Sequence, residues 1–207
     1  MQDLLASSAP AASPHPVVLT VCTGNVCRSP LAEALLRTHL SDLELRVHSA
    51  GTHALVGQPM THPAQQLAQD RNVDPTVLST HRARLLSEPL LGDADLVLTM
   101  TAEQRNVAVR MLPRSVDRIF PVREFARLTE ALTDATIRAA AATAGRHPRA
   151  RLVAVVEMVS HRRGGPVRAS DDVVDPYRRP FSVYEQSAAQ LTPALADVER
   201  VIRAALA

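Results

Sequence analysis

Five consecutive apolar or β-branched residues, Val17-Val18-Leu19-Thr20-Val21, run straight into a polar stretch and then into Ser29-Pro30-Leu31. A strand with no polar alternation has no face to give to water. It belongs in a sheet covered on both sides, and such sheets are parallel. Ser29 followed by Pro30 reads as a helix N-cap and first helical position. Leu31, Leu35 and Leu36 form the inward stripe, and Glu33 in the first turn favours the helix dipole. Strand, tight loop and helix are the unit on which the rest of the chain must build.

The rest repeats it. Leu43 to His48 is the second strand candidate, closed by Ser49-Ala50-Gly51; Asp95 to Met100 is the third and Asp117 to Val122 the fourth. Helices are predicted over Pro63 to Asn72, shortly after Ser87, and over Ala102 to Met111. Strands alternating with helices give an α/β fold, a four-stranded parallel sheet flanked by helices. Residues 123–163 break the rhythm. Phe125, Leu128 and Leu132 recur at helical spacing, as do Leu152, Val155, Val156 and Val159, and Gly145-Arg146-His147-Pro148 between them predicts a helical hairpin. A loop holding Asp175-Pro176-Tyr177 follows Gly164-Gly165-Pro166. The last helix shows Leu191, Leu195, Val198 and Ile202 on one face, with Pro193 expected to kink or restart it. The organisation expected is a flexible tail over 1–16 and one domain over 17–207, with 123–170 as a helical insertion ahead of the Asp-Pro loop.

Composition narrows the chemistry. Of 207 residues only 2% are aromatic, so the core must rest on Leu, Val, Ile and Ala. All 23 basic residues are arginine, and the formal charge is +2. With a pI near 8.9 this suits anionic substrates but falls short of a nucleic-acid footprint. Two cysteines, Cys22 and Cys27, are too few for a disulfide scaffold and wrongly patterned for zinc. No basic segment precedes an apolar one at the N-terminus, and no apolar run is long enough to cross a membrane. A cytoplasmic enzyme without metal, cofactor, nucleic-acid partner or membrane insertion is expected.

The loop Cys22-Thr23-Gly24-Asn25-Val26-Cys27-Arg28-Ser29-Pro30 carries the chemistry. A thiol attacks only as thiolate, and an ordinary one with a pKa of about 8.5 is mostly protonated at neutral pH. Cys22, at a strand end facing the next helix, is surrounded by backbone N–H groups and a positive dipole end, which favour the anion. The N–H array of residues 23–29, with Thr23, Val26 and Cys27 among them, then receives phosphate oxygens. Gly24 allows close approach and unusual backbone angles, and Asn25 tolerates the left-handed conformation. Arg28 brings a permanently charged fork matched to two phosphate oxygens, and Ser29 can donate its hydroxyl to the sulfur. A lone cysteine after an apolar strand is usually an inert core residue; here all the pieces agree within nine residues.

This window resembles the signature of the low-molecular-weight protein tyrosine phosphatase family, Cys-x-Gly-Asn-x-Cys-Arg-Ser-Pro, without a mismatch. The likeness continues in Ser49-Ala50-Gly51-Thr52, in Ser79 to Arg84, in Ala94 to Met100 and in Asp175-Pro176-Tyr177, covering most of 17–122 and 171–206. It implies a flavodoxin-like phosphatase fold and hydrolysis of phosphotyrosine through a phosphocysteine intermediate. Asp175 then protonates the departing phenolate and activates water; a leaving group with a pKa near 10 benefits from such help. Pro176 biases Asp175 towards an extended conformation. Asn25, Ser49 and His81 match a hydrogen-bond network holding the loop, and Cys27 matches a cysteine that can form a protective disulfide with an oxidised Cys22.

Three departures stand out. The family's aromatic slot wall is replaced by His53-Ala54-Leu55-Val56-Gly57, which with Asp175-Pro176-Tyr177-Arg178 resembles the bacterial branch linked to capsule and exopolysaccharide export. Members of that branch dephosphorylate bacterial tyrosine kinases. Leu55 still offers an apolar wall, and Tyr177 either stacks on the substrate ring or packs as an ordinary aromatic. Thr101 stands where many relatives have an acidic residue and is assigned no role. The stretch Arg123–Ser170 is longer than usual, with Arg146, Arg149, Arg151, Arg162 and Arg163 on either a solvated hairpin or a basic lid. Two rival functions share these features. An arsenate reductase of the thioredoxin-coupled kind needs a further cysteine pair, which the chain lacks. A silent phosphotyrosine-binding module does not need Cys22, Arg28 and Asp175 together.

Overall fold

In the computed structural model, residues 14–207 are described; the expected tail lies almost wholly outside them. In chain order the elements are β1 (Val17–Cys22), α1 (Arg28–His39), β2 (Arg46–Gly51), α2 (His62–Gln69), α3 (Pro75–Ser79), α4 (Glu88–Asp93), β3 (Leu96–Thr99), α5 (Ala102–Met111), β4 (Ile119–Pro121), α6 (Val122–Thr129), α7 (Asp134–Ala142), α8 (Pro148–Ser160) and α9 (Phe181–Leu206). The four strands form one parallel sheet in the order β2-β1-β3-β4. All six residues of β1 are buried. Its side chains alternate between two cores: Val18 and Cys22 join the larger, and Val17, Leu19 and Val21 the smaller. The chain leaves β1 for β2 on one side and returns to β3 on the other. The carboxyl end of β1 is therefore the switch point where such sheets open a crevice, and Cys22 stands on it.

Several boundaries differ from the sequence expectation for local reasons. β2 starts at Arg46 and runs through Ser49-Ala50-Gly51, which pair with Thr20, Val21 and Cys22 instead of closing the strand. α1 starts at Arg28, not after a Ser29 cap: Cys27 occupies the cap position without a side-chain bond, and Glu33 lies beyond the first turn. Ser29 is fully buried. α3 was not anticipated; Asp74 caps it by accepting from the Thr76 N–H at 2.8 Å. Pro193 does not restart α9, which is one helix from Phe181 to Leu206. Pro193 and Ala189, whose carbonyl loses its helical partner, both lie on the exposed face, where that carbonyl is open to solvent.

The stretch expected as an inserted hairpin holds three helices, α6, α7 and α8. Thr133 ends the first run by capping α7, its hydroxyl accepting from the Thr136 N–H at 3.2 Å. Phe125, Leu128, Ile137, Leu152, Val155 and Val159 all belong to the larger core, so the segment is not a solvated annex. Nor do its arginines form a lid. Arg149 binds Asp95 at 2.9 Å, Arg151 the Ala205 carbonyl at 2.8 Å and Arg162 the Leu128 carbonyl at 3.0 Å. Arg163 stacks 3.9 Å from the Phe120 ring, itself edge-on to Phe125 at 5.3 Å. Of the five arginines singled out above, Arg146 and Arg162 are exposed, and Arg149, Arg151 and Arg163 are half-buried.

Candidate active site

The loop after β1 is held from outside by its carbonyls. Thr52, His53 and Leu55 donate backbone N–H groups to the carbonyls of Cys22, Thr23 and Gly24 at 2.9, 3.0 and 3.0 Å, and Thr61 donates to Val26 at 2.8 Å. His81 Nε2 lies 2.8 Å from the Asn25 carbonyl and so donates to it. In a trans peptide the N–H points opposite to the C=O. Turning these carbonyls outward therefore turns the N–H groups of residues 23–27 inward, around Cys22. The Asn25 N–H reaches the Cys22 sulfur at 3.2 Å, and the Ser29 hydroxyl donates to it at 3.0 Å.

Asn25 makes this curl possible. Its φ is +55°, a left-handed conformation costing a non-glycine residue about 1–2 kcal/mol. The side chain offsets the cost with bonds on both ends. Nδ2 donates to Ser29 at 3.0 Å and Ser49 at 2.8 Å, while Oδ1 accepts from the Arg84 N–H at 2.9 Å. Ser49 in turn donates to Glu33 at 2.6 Å. Sequence reasoning placed Glu33 at the helix dipole; it is the anchor of this network instead. Gly24 needs a second correction. It is not among the positive-φ residues, and a Cβ there would meet Val26 and Leu55 at ordinary contact distances of 3.5 Å or more. The close approach falls on Gly51, where a Cβ would sit 2.4 Å from the Thr23 carbonyl oxygen.

A cavity of about 180 Å³ opens over the loop, lined by Cys22, Val26 and Arg28 with His53, Leu55, Asp175 and Tyr177. Arg28 is 4% exposed. Its Nη1 donates to the Val173 carbonyl at 3.0 Å and its Nη2 pairs with Asp175 at 2.6 Å, whereas its buried Nε has no partner among the described residues. Tyr177 is fixed from two sides: its N–H donates to Asp175 at 3.1 Å, and the Arg178 guanidinium lies 5.2 Å from its ring. Leu55 and Tyr177 are 38% and 37% exposed, forming a mouth with apolar walls. Ser49 and His81 do not line this cavity; they border a separate one of about 250 Å³.

Thr23 accepts from Gln104 Nε2 at 3.1 Å, and Gln104 also accepts from the Met100 and Thr101 N–H groups. Thr101, given no role above, caps α5 in a reciprocal bond with Gln104. Cys27 is buried like Cys22. Its sulfur lies 3.4 Å from the Thr61 hydroxyl and 3.6 Å from that of Tyr184, and burial pushes its pKa up despite both. Burial, then the contact with Cys27, raises Tyr184 to about 12. Cys22 and Cys27 are both free thiols. The parts that Gln104, Arg84, Glu33, Tyr184 and the backbone of Thr52, His53, Leu55 and Thr61 play in holding the loop do not show in the sequence, because they rest on contacts with residues remote in the chain.

The model of the family described as low molecular weight phosphotyrosine protein phosphatase matches residues 17–135. The probable low molecular weight protein-tyrosine-phosphatase EpsP of Ralstonia nicotianae is 37% identical over 107 residues, covering 52% of this chain and 70% of that protein. A protein-arginine-phosphatase of Bacillus subtilis is 33% identical over 111 residues, covering 52% of this chain and 71% of that protein. Among solved structures, a low molecular weight protein tyrosine phosphatase from T. tengcongensis superposes with a TM-score of 0.62 at 29% identity, covering 88% of this chain and 97% of that one. The family match ends inside α7, so Asp175 and α9 lie beyond it.

Proposed function

The chain belongs to the low molecular weight phosphotyrosine protein phosphatase family, and on that footing we propose that it hydrolyses phosphotyrosine in proteins through a phosphocysteine intermediate. One observation carries this reading above the others. A sulfur with two donors aimed at it shares a cavity with a buried, incompletely paired arginine and a carboxyl group.

The chemistry follows from that arrangement. The phosphate dianion enters the ring of N–H groups and takes over the Arg28 fork, adding the unpaired Nε to its donors. The Cys22 thiolate attacks phosphorus as the P–O bond to the phenol breaks in line. Asp175, released from its ion pair and protonated, gives its proton to the departing oxygen. The resulting carboxylate then takes a proton from a water that attacks phosphorus, the P–S bond breaks, and phosphate and thiolate are regenerated. Ser29 stabilises the sulfur as attacking anion and as leaving group.

Val26, Leu55 and Tyr177 give the mouth carbon surface that suits an aromatic ring. The proposed partner is a phosphotyrosyl protein; the sequence resemblance adds a bacterial tyrosine kinase controlling polysaccharide export as its specific form. The B. subtilis relative raises phosphoarginine as a second reading. A guanidinium leaving group asks for acceptor oxygens; of the lining side chains Thr23 Oγ1 already accepts from Gln104, and the Asp175 carboxyl is the one strong acceptor left for it. The test is turnover of matched phosphotyrosyl, phosphoseryl, phosphothreonyl and phosphoarginyl peptides, with Cys22→Ser alongside. Phosphotyrosine should be preferred by at least about tenfold in kcat/KM, on the order of 1.4 kcal/mol of differential transition-state binding. Cys22→Ser should be inactive. Equal or better turnover of phosphoarginine overturns the tyrosine assignment, and activity in Cys22→Ser overturns the mechanism.

A further inference from the structure

The segment leading to Asp175 is tethered at every residue. Asp171, 3% exposed, accepts from Arg127 twice, Nε at 3.2 Å and Nη2 at 2.8 Å. The Asp172 side chain accepts from the Ala102 N–H at 2.8 Å, and its carbonyl accepts from Arg123 Nη1 at 3.0 Å. The Val173 N–H donates to the Met100 carbonyl at 2.8 Å, and its own carbonyl accepts from Arg28. The Val174 N–H donates to Gln190 at 2.9 Å. Asp175 comes next, with a side chain 52% exposed. The four tethered residues fix the backbone that delivers Asp175, whose carboxylate then pairs with Arg28 and accepts from the Tyr177 N–H.

Two of these tethers come from one place. Arg123 and Arg127 are one helical turn apart on α6, hence on the same face, and two further helices, α7 and α8, lie between α6 and the loop in the chain. Phe125 is fully buried between them, which makes α6 a fixed base. A planar fork bonded to both oxygens of a buried carboxylate defines its orientation as well as its place. We propose that Arg123 and Arg127 are positioning residues for the general acid, so that α6 serves catalysis by aiming Asp175. This rests on the assignment of Asp175 given above.

The test uses the whole chain and two substrates that differ in leaving group, phenyl phosphate (poor) and p-nitrophenyl phosphate (good), with Asp175→Asn as reference. Arg127→Ala should lower kcat on phenyl phosphate about tenfold, a fraction of the ~10²–10⁴ that a placed acid supplies. On p-nitrophenyl phosphate it should lose less than about threefold, with KM nearly unchanged, since departure of the better leaving group needs less proton transfer. Arg127→Lys should recover part of the loss. In the Asp175→Asn background, Arg127→Ala should add almost nothing. Asp171→Asn keeps the loop's volume and carries the same comparison if Arg127→Ala does not fold. Equal losses on both substrates, or an undiminished loss in the Asp175→Asn background, overturn the inference while leaving the acid assignment standing. If Asp175→Asn itself shows no dependence on leaving group, the assignment falls and the inference with it.

Discussion

A single left-handed asparagine holds the site's geometry at the residue scale. Asn25→Ala keeps the strain and removes three bonds, leaving Ser49 and the Arg84 N–H short of partners. At about 1–3 kcal/mol for each uncompensated buried group, a destabilisation of about 2–4 kcal/mol in urea titration is expected, with a fall in kcat. Asn25→Gly relieves the backbone cost but restores no bond, so it should be intermediate in stability and equally poor in kcat. A Gly variant with full activity would show that the φ angle alone matters. Cys22, Asn25, Arg28 and Ser29 were legible in the sequence because strand, loop and helix start are contiguous and each residue type fits one physical need. Gly24 was misread for the same reason: proximity to the loop suggested a conformational role. The steric constraint instead sits at Gly51, on a neighbouring strand paired with Cys22.

The strands were easy to read as elements, since β-branched runs buried on both faces leave few alternatives. The helices after residue 122 were not. Two apolar runs around Gly145 look like a hairpin, and only the Thr133 cap divides the first of them. Inward-turned arginines were equally invisible, because a run of Arg in sequence cannot show which carbonyls it will meet. The α6 clamp has its own pH signature. Burial alone would raise the Asp171 carboxyl, but the bonds from Arg127 and the Arg168 N–H outweigh it and hold the carboxyl below its usual range. A carboxylate depressed in the folded state contributes stability that is fully present above its unfolded pKa, about pH 4, and is lost as pH falls through the lower folded value. The melting-temperature gap between the native chain and Asp171→Asn should be constant from pH 7 to 5 and close progressively below pH 4. A gap that persists unchanged at pH 2 would mean that charge is not what holds the loop.

At the scale of the whole molecule, the sheet order sets the outcome. Placing β1 between β2 and β3 opens the crevice at Cys22, and β2 delivers Ser49 and Gly51 to the back of the loop. Side chains of α6 and α9 tether Asp171, Asp172 and Val174, and Asp175 pairs with Arg28, remote from it in the chain. No helix among the described residues is long and apolar enough to cross a membrane. The central claim is that Cys22 carries the phosphoryl group between substrate and water. Acid-quench the Asp175→Asn protein within its first turnovers on p-nitrophenyl phosphate, digest it, and weigh the peptide containing residues 17–28. A single phosphoryl adduct on Cys22, absent from the Cys22→Ser protein, is the result expected; no adduct while product accumulates, or an adduct on another residue, would contradict it.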